Sequence, residues 1–124
     1  MLLDSFAWME YFMGTQEGEK VRRFVDDDIQ LYTSPIVIAE IYSKSLRTDG
    51  NAEERKDFII KRCALIVLDE IIAVEAAKIH AEKKIKTPDF GLADALILAS
   101  ARNRKIKVVT GDPHFKDFKD AVMM

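Results

Sequence analysis

The sequence has a single cysteine and few residues that interrupt regular structure. Its 124 residues include 1 Cys, 3 Pro and 5 Gly. The lone Cys63 excludes an intramolecular disulfide and a cysteine-rich zinc site, so we expect it to pack as a small apolar side chain. The 48% hydrophobic and 32% charged content excludes a disordered chain. These features predict one soluble, well-packed domain over residues 1–124.

Long apolar runs and an excess of one charge are also absent. No stretch approaches the roughly 20 apolar residues that span a bilayer, and no basic segment precedes an apolar one as in a signal peptide. We therefore expect a cytoplasmic protein without a membrane partner. The net charge of −2 gives no overall attraction to nucleic acid. Basic clusters at residues 20–23, 61–62, 83–86 and 102–107 permit an RNA partner, or they are solvated loops and helix ends.

The hydrophobic pattern predicts strands that alternate with helices. Strands are expected at residues 1–4, 29–33, 64–68 and 107–110, and residues 121–123 can form a fifth. The continuous apolar run at 64–68 is typical of a strand buried on both faces. The helices are predicted at 6–13, 16–27, 35–46, 52–62, 70–84 and 92–102. This alternation predicts a three-layer α/β domain around a mainly parallel sheet of four or five strands.

Four acidic residues border or interrupt these buried segments: Asp4, Glu40, Asp94 and Asp112. In open parallel sheets the functional crevice lies beyond the carboxyl ends of the strands, where these side chains can meet. A buried charge is costly, and mutual repulsion raises carboxyl pKa values unless a cation compensates. An all-oxygen site favours Mg²⁺ or Mn²⁺. The four acids therefore predict a metal-dependent phosphodiesterase.

Each acid also has a purely structural explanation. Asp4 can close a strand or cap the helix that begins near Ser5. Glu40 can be a solvent-exposed residue or pair with Lys44 at i,i+4. Asp94 can favour a helix N-terminus through the helix dipole, and Asp112 lies in a Gly-Asp-Pro sequence that is common in turns. No single acid is convincing alone, but the four together favour a shared site.

Other polar residues near these acids have two readings each. Ser5 and Thr110 can hydrogen-bond a carboxylate or a metal-bound water, or they are ordinary hydroxyls, with Ser5 capping the first helix. His114 can contact a phosphate, although a loop histidine is more often solvated or structural. Asp89 is expected to cap the helix at 92–102, or it approaches the metal from outside the quartet. Asp69 is expected to cap the helix at 70–84, or it is the acceptor of a phosphoacceptor receiver domain.

Four segments, in this order, resemble the PIN-domain ribonucleases, specifically the small prokaryotic VapC-type toxins. These segments are Leu3-Asp4-Ser5, Ile38-Ala39-Glu40-Ile41, residues 92–99 around Asp94, and residues 109–115 around Asp112. The resemblance implies a Rossmann-like PIN fold that cleaves RNA with Mg²⁺ or Mn²⁺. It also implies that Asp4, Glu40, Asp94 and Asp112 form the catalytic, metal-binding quartet, with Asp4 and Asp94 as its firmest ligands.

The resemblance further implies partners. VapC-type toxins usually form homodimers and are held inactive by an antitoxin whose tail packs near the active site. In this chain, the apolar helix segment at residues 8–13 can offer a docking face, although core packing explains it slightly better. Two alternatives stay open: a PIN nuclease that processes or degrades RNA without an antitoxin, and a non-catalytic module that binds RNA or protein.

Overall fold

Five short strands form one sheet in the computed structural model, which describes residues 1–124. The strands are β1 (Leu2–Leu3), β2 (Leu31–Thr33), β3 (Cys63–Leu65), β4 (Val108–Thr110) and β5 (Ala121–Met123). Their order across the sheet is β3-β2-β1-β4-β5, and every neighbouring pair is parallel. The predicted parallel sheet is confirmed, with five strands.

Six α-helices connect the strands and flank the sheet. They are α1 (Ser5–Met13), α2 (Gln16–Asp26), α3 (Pro35–Arg47), α4 (Ala52–Arg62), α5 (Glu70–Lys86) and α6 (Leu92–Asn103), and a 3₁₀ turn follows at Pro113–Phe115. All six predicted helices are present. None of them is both long and apolar enough to cross a membrane.

Side chains that accept backbone hydrogen bonds fix where several helices begin. Asp4, Ser34 and Asp69 each accept a hydrogen bond from the N–H three residues further on, at 2.9, 3.4 and 2.9 Å. Such N-caps satisfy N–H groups that lack a partner inside the helix. The predicted cap at Asp69 is confirmed. The predicted cap at Ser5 is wrong, because Asp4 caps α1 and Ser5 is its first helical residue.

The prediction that residues 64–68 form a strand buried on both faces is wrong. Strand β3 covers Cys63–Leu65 and lies at the edge of the sheet, where it pairs only with β2. Leu65 and Val67 are 49% and 66% exposed, and Ile66 between them is buried. An apolar run shows that a strand is present, but it does not distinguish an edge strand from a central one.

The hydrophobic core lies between the sheet and the helices that flank it. Trp8 and Met9 of α1 belong to it, and Trp8 stacks on Phe12 with ring centroids 5.5 Å apart. This part of the predicted docking segment is therefore core, whereas Met13 at its end is exposed. Helix α6 is buried from Ile97 to Ala101, as its nearly all-apolar sequence predicts.

Candidate active site

Strands β1 and β4 bring Asp4 and Asp112 to the same edge of the sheet. The strands are neighbours in parallel register, and the Asp4 backbone N–H donates to the Val109 carbonyl at 3.1 Å. Asp112 follows β4 and caps the 3₁₀ turn, accepting a hydrogen bond from the His114 N–H at 2.9 Å. Its own N–H donates to the Thr110 hydroxyl at 2.9 Å. Both carboxyl groups are therefore held in place by the backbone around them.

Helices α3 and α6 deliver the other two acids to the same place. Glu40 lies in the second turn of α3, and Asp94 lies in the first turn of α6. Together with Asp4 and Asp112 they line one cavity of about 500 Å³. All four acids that the sequence singles out therefore line one cavity, but Asp4 and Glu40 lie outside the closer group of ligand atoms that Asp94 and Asp112 form with His114.

Burial makes ionisation of Asp4 unfavourable. Only 4% of this residue is exposed, and burial raises its pKa to about 7 from 3.8. The Thr110 hydroxyl and the Ala7 N–H act in the opposite direction, while the charges of Asp112 and Asp94 add smaller increases. A negative charge at Asp4 therefore needs a compensating positive charge.

The pKa values of Glu40 and Asp94 are raised as well. Burial is the largest cause for both. The neighbouring acids raise both values further, and the Ser5 hydroxyl partly offsets the effect at Glu40. At Asp94 the Gly91 backbone and His114 act in the opposite direction. The cavity therefore collects carboxylates whose ionised forms are disfavoured together.

No lysine or arginine forms an ion pair with any of the four acids. The one basic side chain within ion-pair distance of them is His114, which lies 3.4 Å from Asp112. One carboxyl oxygen of Glu40 is buried without a hydrogen-bond partner. Ligand atoms of Asp94, Asp112 and His114 lie within 4.8 Å of one another. Uncompensated carboxylates and an unpartnered oxygen suit a hard divalent cation such as Mg²⁺ or Mn²⁺. The residues present therefore fit such an ion.

Ser5 and Thr110 lie where the sequence places them, next to the acids. Ser5 lines the cavity. Thr110 is fully buried, and its hydroxyl accepts the hydrogen bond from the Asp112 N–H. The hydroxyl thereby orients the loop that carries Asp112.

Two neighbouring acids lie outside the cavity. Asp89 does not cap α6, so that prediction is wrong: the N-cap is Gly91, and no side chain accepts a hydrogen bond there. The Asp89 side chain is 80% exposed and lies 3.4 Å from His114. Asp69 caps α5 after the edge strand and does not line the cavity. It belongs to no group of acids that could share a metal ion, which the receiver-domain alternative requires.

One face of α3 holds Ser43, Lys44 and Arg47, which the sequence interpretation did not assign to the site. Glu40, Ser43, Lys44 and Arg47 all line the cavity, and their i, i+3, i+4, i+7 spacing places them on one side of a helix. Lys44 does not form the i,i+4 ion pair with Glu40 that was the structural alternative, because no carboxylate lies within ion-pair distance of its ammonium group. The spacing is readable in the sequence, but it becomes informative only when Glu40 is known to face a cavity.

The fold and the site together define the class of this protein. It is an α/β domain with a parallel sheet, and an acid-lined cavity at one edge of the sheet can hold a divalent cation. The PIN domain family model matches residues 1–121, and the chain belongs to this family. The predicted PIN fold is thereby confirmed. No curated protein matches the chain in sequence.

Several solved structures share this fold. A toxin–antitoxin complex from Klebsiella pneumoniae aligns with a TM-score of 0.80 and 20% identity, covering 98% of this chain and 95% of that one. The Mycobacterium tuberculosis toxin VapC20, described as cleaving the sarcin–ricin loop, aligns with a TM-score of 0.74 and 16% identity, covering 96% of both chains. FitAcB from Neisseria gonorrhoeae aligns with a TM-score of 0.68 and 24% identity, covering 99% of this chain and 96% of that one. At these identities the similarity establishes the fold alone.

Proposed function

We propose that this protein is a metal-dependent endoribonuclease and the toxin of a type II toxin–antitoxin pair. The observation that carries the proposal is the meeting of four carboxylates, from four separate segments, in one cavity without a lysine or arginine partner. Membership of the PIN domain family supports a nuclease. The structural neighbours include toxin–antitoxin complexes and an RNA-cleaving toxin, which supports the biological role.

In this proposal Asp4, Glu40, Asp94 and Asp112 hold Mg²⁺ or Mn²⁺. The bound ion would polarise a phosphodiester and lower the pKa of a coordinated water. Asp4 is positioned by the hydrogen bond from the Ala7 N–H, and Asp112 is positioned by its capping of the 3₁₀ turn. Glu40 brings the one buried carboxyl oxygen of the site that has no partner in the protein.

Three further elements belong to the proposal. Residues 1–124 act as one domain in the cytoplasm, the active form is a homodimer, and an antitoxin protein keeps it inactive. Co-expression with the product of an adjacent small gene, followed by isolation of the complex, tests the partner. An inactive complex whose dissociation restores cleavage is the expected result, whereas activity unchanged by any such product would favour RNA processing without an antitoxin.

Cleavage of a mixed RNA pool tests the enzyme. Wild type, Asp94→Asn and the control Asp89→Asn are compared in Mg²⁺, Mn²⁺ and EDTA. We expect cleavage by wild type and by the control, abolished in EDTA and in Asp94→Asn. Equal cleavage by wild type and Asp94→Asn, or no cleavage by wild type with either metal, would contradict the proposal.

A further inference from the structure

We propose that His114 is a metal ligand of the cavity, with its Nδ1 atom beside the carboxylates of Asp94 and Asp112. A nitrogen ligand would make the site prefer a transition-metal ion such as Mn²⁺ to Mg²⁺. This inference rests on the proposed function, because it concerns the cation that the nuclease would use. It goes beyond the acid quartet, since it adds a nitrogen to a set of oxygens.

His114 forms a compact group of ligand atoms with two of the acids. Atoms of Asp94, Asp112 and His114 all lie within 4.8 Å of one another, and Nδ1 of His114 is 3.4 Å from a carboxyl oxygen of Asp112. Neighbouring ligand atoms on an octahedral ion are about 3 Å apart, because each lies about 2.1 Å from the ion. The nitrogen and the oxygen therefore have nearly the spacing that a shared ion requires.

The other ring nitrogen faces a carboxylate outside the cavity. Nε2 lies 3.4 Å from Asp89, which is exposed and does not line the cavity. A histidine that binds a metal usually directs its second nitrogen towards a carboxylate or carbonyl, which keeps the proton on that nitrogen. When Asp112 is engaged by an ion, Asp89 is the acceptor that stays free. The proton then lies on Nε2, and the lone pair of Nδ1 faces the acids.

Contacts on two sides hold the imidazole ring in this orientation. The His114 backbone N–H donates to Asp112 at 2.9 Å, which fixes the start of the side chain beside that acid. The ring packs edge-on against the fully buried Phe90, with centroids 6.4 Å apart and an interplanar angle of 80°. The side chain is 30% exposed, so an ion can reach it from solvent. A ligand that is already oriented loses little freedom on binding.

A nitrogen ligand changes which ion the site prefers. Mg²⁺ is a hard cation that takes oxygen ligands. Imidazole suits the divalent transition metals, whose affinity for a site of nitrogen and oxygen atoms rises from Mn²⁺ towards Ni²⁺ and Cu²⁺. Mn²⁺ gains least within that series, so a preference for Mn²⁺ over Mg²⁺ that depends on His114 is a strict test of the nitrogen.

Pulsed electron paramagnetic resonance of bound Mn²⁺ detects a coordinated nitrogen directly, without RNA and without cleavage. An imidazole on the ion adds nuclear modulation from nitrogen, and growth on ¹⁵N-histidine changes that modulation. The chain has two histidines. His80→Asn is the matched control, because His80 lies on α5 and does not line the cavity. We expect the modulation in wild type and in His80→Asn, and its loss in His114→Asn.

Calorimetric titration with Mn²⁺ and with Mg²⁺ tests the preference. Asparagine places an oxygen near the position of Nδ1, so His114→Asn should bind Mn²⁺ at least about tenfold more weakly. Its Mg²⁺ affinity should change by less than about threefold, because Mg²⁺ takes oxygen ligands. Asp89→Asn keeps an acceptor oxygen for Nε2 and should bind both ions like wild type, whereas Asp89→Ala should lose part of the preference for Mn²⁺.

The outcomes separate this inference from the proposed function. Nitrogen modulation that persists in His114→Asn, Mn²⁺ binding without modulation in wild type, or no Mn²⁺ binding would overturn the inference. Equal losses of Mn²⁺ and Mg²⁺ affinity in His114→Asn would also overturn it, and RNA cleavage by wild type in Mg²⁺ would still support the proposed function. Modulation that depends on His114 supports the inference even if wild type cuts nothing, in which case only the proposed function fails. Circular dichroism of every variant shows that each one is folded.

Discussion

Asp4 should make the stability of the metal-free protein fall as pH rises. Its pKa is about 7 in the folded protein and 3.8 ordinarily, because burial disfavours the charge. The folded state therefore holds this proton more tightly than the unfolded state does. The contribution of Asp4 to stability is therefore fully present below about pH 4 and is lost as pH rises through 7. At 1.36 kcal/mol per pKa unit, the decline due to Asp4 is about 4 kcal/mol.

Comparison of wild type with Asp4→Asn isolates this effect. The amide cannot ionise, and its oxygen can still accept the capping hydrogen bond from the Ala7 N–H. Unfolding by denaturant in EDTA, at pH 4 and pH 8, can be followed through the fluorescence of Trp8, which is the single tryptophan and is fully buried. We expect wild type to lose about 4 kcal/mol more than the variant between the two pH values.

Mg²⁺ should reverse this loss in wild type. At a concentration of 100 Kd, an ion that binds only the folded state adds about 2.7 kcal/mol to the free energy of unfolding. The exposed Asp89→Asn serves as the control and should behave like wild type. The reasoning would be refuted if wild type and Asp4→Asn showed the same pH dependence in EDTA, because Asp4 would then ionise in the folded protein without cost.

Three more substitutions test packing around the site and at the edge of the sheet. A Cβ atom at Gly18 would lie 2.1 Å from the Glu10 carbonyl oxygen, so thermal unfolding of Gly18→Ala should show a loss of about 1–3 kcal/mol. The same measurement on Gly111→Ala should show a smaller loss, because the atoms that its Cβ would meet belong to the Phe6 ring, which can move. Val67→Lys at the exposed edge should change the free energy of unfolding by no more than about 0.5 kcal/mol; a larger change would show that Val67 is packed.

The helices and the meeting of the acids could be predicted because local signals determine them. Asp69 was recognisable as a cap from its place before a helical pattern, and its hydrogen bond to the Ile72 N–H confirms this. Asp4 and Asp112 could be assigned to one edge because both follow strands of a parallel sheet. The cap needs only the local sequence, and the placement of the two acids needs only the direction of the strands.

The remaining features depend on contacts between distant segments. The order of the strands decides that β3 is an edge strand with Leu65 exposed, and no local pattern contains that order. The approach of His114 to Asp112 follows from the 3₁₀ turn at Pro113–Phe115. Arg47 reaches the cavity because α3 turns one face towards it. Side chains that join a site through tertiary packing are therefore the ones that sequence reasoning misses.

The four acids differ in the contacts that the protein itself gives to their carboxyl groups. Asp4 and Asp112 each accept a backbone hydrogen bond at 2.9 Å, and Asp94 lies in the first turn of α6, where the helix dipole favours a negative charge. Glu40 lies within its helix: the Ser5 hydroxyl partly offsets the effect of burial, but one of its carboxyl oxygens is buried without a hydrogen-bond partner.

Glu40→Gln should therefore weaken Mg²⁺ binding strongly while leaving the metal-free protein as stable as wild type or more stable at pH 8. The expected gain arises because burial raises the pKa of Glu40 and disfavours its charge, whereas glutamine carries none. Calorimetric titration with Mg²⁺ and denaturant unfolding in EDTA measure the two effects separately. A variant that bound Mg²⁺ like wild type would remove Glu40 from the metal site, and one that unfolded more readily in EDTA would show that its carboxylate is stabilised by the protein alone.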